Sequence, residues 1–82
     1  MKTIVSAQIR AARALLQWRQ IDLVKASGVS DLTIKNFEHG ATHPHASTLD
    51  ALRRALESAG VIFVEENGEG PGVRLRKGKR DR

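Results

Sequence analysis

Eighty-two residues with a net charge of +5 and no cysteine allow one small domain and exclude a disulfide framework or a thiolate zinc site. The composition fits a reducing, cytoplasmic setting; no apolar run approaches the ~20 residues that span a bilayer, and the first residues lack the apolar stretch of a secretion signal. The charge is uneven: residues 1–60 carry eight Lys/Arg against five Asp/Glu, residues 61–73 three Glu and no base, and residues 74–82 six bases against Asp81.

In chain order, residues 1–5 read as an extended lead, with Ile4 or Val5 tucked against the body. Ser6 is placed to cap a first helix running to about residue 18 or 19. Ile9, Ala12 and Leu16, with Ala11, Leu15 and Trp18, give it a broad apolar face. A second helix spans 20–27, with Leu23 and Val24 apolar, and Ser27-Gly28-Val29 makes a tight corner where glycine takes a positive φ. Ser30 caps a third helix, Ile34 and Phe37 give it one apolar stripe, and Gly40 stands just past its end. Residues 39–46 form a loop. Ser47 and Asp50 make a capping-box-like start for a fourth helix, striped by Leu49, Leu52 and Leu56 and ended by Gly60.

Beyond Gly60 the period changes. Residues 61–64 are a β-branched and aromatic run, residues 65–72 a Glu/Gly-rich loop, and residues 73–76 alternate apolar with basic. This predicts a strand pair or hairpin. The first run is apolar on both faces, so something must cover each side, and a second copy of the chain is the expected cover for one. The glycines do not form a phosphate cradle, because no strand–glycine–helix context follows them.

The residues at 20–40 carry a resemblance. Gln20 opening the second helix, Leu23-Val24, Gly28 at the corner, Ser30 as cap, Ile34 in mid-helix, then Glu38 and Gly40 resemble the helix-turn-helix of the Cro/cI-type (XRE) family of DNA-binding regulators. The similarity runs from residue 6 to about 60. Val24 departs from the pattern, which prefers alanine where the two helices cross closely. The resemblance implies a mostly α, four-helix lambda-repressor-like domain over residues 1–60; the strand pattern makes residues 61–76 a β segment expected to serve dimerisation, and the charge distribution leaves residues 77–82 as a basic tail.

On the third helix, the face offered to a major groove holds Asp31, Leu32, Thr33 and Asn36, with Lys35 at its edge. Asn36 can pair bidentately with adenine, Leu32 can lie on a thymine methyl, Asp31 can accept from cytosine N4, and Thr33 can serve a base or a phosphate. The plain alternative is a solvated helix face with Asp31 there for the dipole. Candidates for phosphate contact are Gln20 at a helix start, Arg10, Arg19 and Lys35 and, by the resemblance, His39, Gly40, Thr42 and His43. The resemblance also pairs Arg13 with Glu38 as a partly buried ion pair that fixes helix orientation.

Other chemistry finds little support. His39, His43 and His45 lack the cysteine or carboxylate partners that would complete a metal sphere, so neither a metal nor a cofactor is expected. Trp18 reads as core rather than as a stacking platform. No nucleophile–base pair emerges, so an enzyme is the least supported class. The expected function is a sequence-specific regulator of double-stranded DNA, a repressor acting as a homodimer on an inverted repeat. The alternatives are an antitoxin with a toxin partner, or a module on the same scaffold that binds a regulatory protein instead of DNA. Read plainly, the tail is a solubilising end; its functional reading is an electrostatic arm along the DNA backbone.

Overall fold

The computed structural model describes residues 4–78. Within them the helices are α1 (Ser6–Leu16), α2 (Gln20–Ser27), α3 (Asp31–Glu38) and α4 (Ala46–Ser58), followed by strands β1 (Val61–Val64) and β2 (Gly72–Leu75). The strands pair antiparallel, Val61 with Leu75 through Val64 with Gly72. This is the expected four-helix, lambda-repressor-like arrangement with a C-terminal hairpin, β2 starting one residue earlier than the alternation predicts. No helix among the described residues is long and apolar enough to cross a membrane. The tail from residue 79 onward, and the first three residues of the lead, lie outside the described residues.

One core serves helices and hairpin alike. Ile9, Leu23, Ile34, Leu52 and Leu56 are fully buried, and Ile4, Phe37, Val61 and Phe63 join the same cluster. Val24 and Trp18 pack at its rim, only partly buried. The hairpin packs its Val61 and Phe63 face against α1 and α4, while Ile62 and Val64 on the other face are half-buried.

Three helix ends differ from expectation, each because a group distant in type or sequence does the capping. The N-cap of α1 is Val5, not Ser6: its backbone N–H donates to Gln8 Oε1 at 2.9 Å. The same helix stops at Leu16, since Gln17 adopts a left-handed φ of 59° and the Trp18 N–H turns back to the Arg13 carbonyl at 2.8 Å, closure normally left to glycine. At α4 the N-cap is His45, whose carbonyl takes the Thr48 and Leu49 N–H groups. Ser47 is exposed inside the first turn, and Asp50 reaches forward to Arg54 at 2.8 Å. The corner behaves as read: Gly28 has φ 77° and Ser30 Oγ accepts from the Thr33 N–H at 3.2 Å. In the acidic loop Glu66 Oε2 takes the N–H groups of Gly68 and Gly70.

The apolar face of α1 is narrower than the pattern implies. Ala11 and Leu15 lie outside the core, Leu15 at 41% exposure. In their place Gln8 is buried, and its amide donates to the carbonyls of Val64 (3.3 Å) and Gly72 (3.0 Å). That side chain fastens the end of the hairpin to the first turn of α1. Replacing Gln8 by leucine leaves the Val5 N–H without its partner and takes the second donor from each carbonyl, and should lower unfolding free energy by about 1–3 kcal/mol. Denaturant midpoints check this; an unchanged midpoint would show that the hairpin is held by its apolar face alone.

Candidate nucleic-acid interface

The outward face of α3 is organised from behind by one carboxylate. Glu38, with only 4% of its side chain exposed, accepts from Arg13 Nε and Nη2, both at 2.7 Å. It accepts from Gln20 Nε2 at 3.0 Å as well, while the Arg13 Nη1 group donates to the Trp18 carbonyl. Arg10 donates to the backbone carbonyl of Glu38, where the dipole of α3 ends in orphan acceptors. The expected Arg13–Glu38 pair is therefore present, and it ties α1, α2 and α3 together at one point.

With its rear fixed, α3 turns four side chains outward. Leu32 is 68% exposed, the most exposed large apolar side chain among the described residues. Asn36 is partly buried, and among the described residues no hydrogen bond engages its amide. Asp31 pairs with Lys35 at 3.0 Å, one turn apart. The Thr33 hydroxyl accepts from Ser30 Oγ at 2.9 Å, which leaves its own proton to give.

The positions expected to face phosphates divide into engaged and open groups. Gln20 has its amide nitrogen on Glu38, and Arg10 lies across the C-terminus of α3. Arg19 is well exposed; its guanidinium pairs with Asp22 at 3.2 Å, and the Asp22 carboxylate also takes the Arg19 N–H. That contact holds Asp22 below the usual carboxylate range, by hydrogen bonding from the Arg19 side chain first and its backbone second. The backbone N–H groups of Gln20 and Ile21, at the start of α2, have no acceptor among the described residues. His39, Gly40, Thr42 and His43 are all exposed along the turn after α3. Contact between Gln20 and Glu38 has no local signal, because they stand eighteen positions apart; Ile21, 40% exposed at the front of α2, has none either.

A tight glycine corner, a capped second helix and an exposed polar face on that helix define a helix-turn-helix unit. Comparison with known proteins agrees: residues 9–59 match the family model described as helix-turn-helix. The chain belongs to this family, in its Cro/cI-type (XRE) branch. It is 40% identical over 50 residues to an uncharacterized HTH-type transcriptional regulator of Mycobacterium bovis, and equally to counterparts in two strains of Mycobacterium tuberculosis. The match takes in 61% of this chain but spans only about a fifth (20%) of the length of those regulators. Among solved structures, the solution structure of the DNA-binding domain of the P22 C2 repressor is 40% identical, with a TM-score of 0.59, covering 70% of this chain and 76% of that one.

Burial pushes the Glu38 carboxyl up, but hydrogen bonds from Arg13 and Gln20, with the charges of Arg13 and Arg10, outweigh it and hold the group below the usual carboxylate range. A lowered folded-state value means that the stabilisation is present above the unfolded carboxyl's pKa and lost as pH falls through the folded one. Denaturation midpoints should therefore drop on acidification through the carboxylate range, and Glu38→Gln should flatten part of that drop. Glu38→Ala should cost about 3 kcal/mol at neutral pH, the low end for breaking a buried pair, because Arg13 reaches solvent. Equal midpoints for wild type and Glu38→Ala would remove the pair from the account of stability.

Proposed function

We propose that the chain reads double-stranded DNA as a homodimer and acts as a transcriptional repressor on an inverted-repeat operator. The observation that carries this is the outer face of α3, where an exposed Leu32 and an unengaged Asn36 amide sit on a helix braced by Arg13 and Glu38. The Leu32 side chain buries little, and the Asn36 amide makes no hydrogen bond among the described residues. They match a thymine methyl and an adenine edge. Asp31 accepts from cytosine, and Thr33 donates to a base or phosphate. The likeness to the DNA-binding domain of a phage repressor supports the same reading.

Phosphates frame the helix in this proposal. The free N–H groups that open α2 bind one, with Gln20 beside them, and Arg19, Lys35, His39, Gly40, Thr42 and His43 line the flanks. Arg10 acts mainly by holding α3. Residues 61–76 form the dimerisation element, and the basic residues from Lys77 onward supply a sequence-independent attraction.

Asn36→Ala should weaken operator binding by about 1–3 kcal/mol and relax preference at one base pair per half-site, leaving non-specific affinity nearly unchanged. Titration of operator and random DNA at 150 mM salt separates these; equal loss on both would show that Asn36 does not read a base. Gln20→Ala should lower both affinities together. For a two-fold dimer, half-site centres lie about one helical turn apart, roughly 10 bp. Inserting about 5 bp between them should abolish cooperative binding, and an unaltered isotherm would count against the two-fold arrangement.

A further inference from the structure

We infer that two copies of the chain join edge to edge through β2 in a single register, with Val73 on the two-fold axis. The inference rests on the homodimer reading above and specifies its geometry as an edge contact, in which the second copy does not cover the Ile62 and Val64 face as the apolar pattern suggests. The Arg76 N–H donates to the Gly60 carbonyl at 2.7 Å, which continues the register pairing Ile62 with Arg74 and Val64 with Gly72. Hydrogen-bonded and non-hydrogen-bonded pairs alternate in an antiparallel ladder. The N–H and C=O groups of Val73 and Leu75 therefore turn away from β1. Among the described residues no other group bonds them.

A second β2 lying antiparallel along this edge must use those same groups, so odd-numbered positions must oppose odd-numbered positions. The side chains then select among the few registers left. Val73 opposite Leu75 sets Arg74 against Arg74 of the second copy, in a non-hydrogen-bonded pair whose Cα atoms are only ~4.5 Å apart. Leu75 opposite Leu75 sets Arg74 against Arg76. Val73 opposite Val73 sets Arg74 against Gly72, Arg76 against Gly70 and Leu75 against Pro71; the pair on the axis is complete and no like charges stand directly opposite. Sliding one step further moves Pro71, which has no N–H, from opposite Leu75 to opposite Val73, so that neither pair flanking the axis is complete.

The chosen register has a second support. The hairpin is polarised along its length, with Glu65, Glu66 and Glu69 toward its tip and Arg74, Arg76 and Lys77 toward its base. An isologous antiparallel contact is the arrangement in which such an element complements itself. With Val73 on the axis, Lys77 of each copy comes opposite Glu69 of the other. The axis then stands perpendicular to a four-stranded sheet, and both helical bodies lie on the same side of it, as two domains on one stretch of DNA require.

The absence of native cysteine makes the register directly readable. Chains carrying R74C or G72C are mixed, allowed to exchange and oxidised; a Cβ at position 72 meets only ordinary contact, 3.9 Å from Val64. The mixture should form a disulfide-linked heterodimer, because opposed non-hydrogen-bonded positions lie within disulfide reach, and neither variant should crosslink alone. Crosslinking of R74C with itself would assign the Val73–Leu75 register and overturn the inference. No crosslink in any mixture, while the wild type sediments as a dimer, would place the dimer contact elsewhere. A wild type that stays monomeric with and without operator would sink the homodimer reading itself. Independently, E69K and K77E should each weaken dimerisation about tenfold, and an equimolar mixture of the two should restore it. Unchanged dimerisation in both would remove the charge match.

Discussion

Everything that α3 presents depends on where Glu38 is held. A carboxylate in this position would be costly without partners, and it has three: two nitrogens of Arg13 and the Gln20 amide, while Arg10 holds the backbone carbonyl of the same residue. These partners come from α1 and α2, so the last turn of α3 is located relative to two other helices at once. Apolar burial of Ile34 and Phe37 supplies most of the attraction that seats α3. It does not by itself specify rotation about the helix axis, because hydrophobic contact is non-directional. Paired guanidinium–carboxylate bonds are directional, and they remove that freedom.

The first helix makes comparable use of polar groups toward the hairpin. Gln8 reaches the carbonyls that end the β1–β2 ladder, while Arg10 and Arg13 reach α3. One rigid element of eleven residues thus carries both connections. On the proposed dimer, the orientation of each reading helix relative to the two-fold axis passes through α1. Changes at Gln8 or Arg13 would then alter half-site geometry without touching DNA.

The central unit was legible because its signals are local. Gly28, Ser30 and Gly40 act through their own backbone or the next turn, and Ile34 with Phe37 fix one face through helical spacing alone. The same rules misplaced the ends of α1 and α4: a backbone carbonyl of His45 and the amide of Gln8 do what Ser47 and Ser6 were expected to do, and a left-handed Gln17 ends α1 short of residue 18. Ser and Asp are good caps wherever a helix starts beside them, so their presence alone does not fix a boundary. Gln8 was missed for another reason. A glutamine inside an apolar stripe looks like its polar edge, and only the hairpin folding back from more than fifty residues away makes it interior. At the reading face, the residue types were visible in advance; the use of Gln20 by Glu38 was not.

Charge on the face of α3 bears on how such a helix would discriminate. Asp31 stands in the first turn, where the helix dipole favours it, and Lys35 neutralises it from one turn below. The pair leaves the face without net charge, so it adds little counterion release on meeting DNA. Both groups are about half exposed, and their attraction is weak enough to be exchanged for other partners. On the proposed docking, Lys35 can leave Asp31 for a phosphate only where Asp31 finds a donor of its own, and the cytosine amino group is the donor that a major groove offers. At other bases the freed carboxylate faces a polyanion with nothing to accept. The acid therefore adds selectivity rather than affinity: it penalises the wrong sequence more than it rewards the right one.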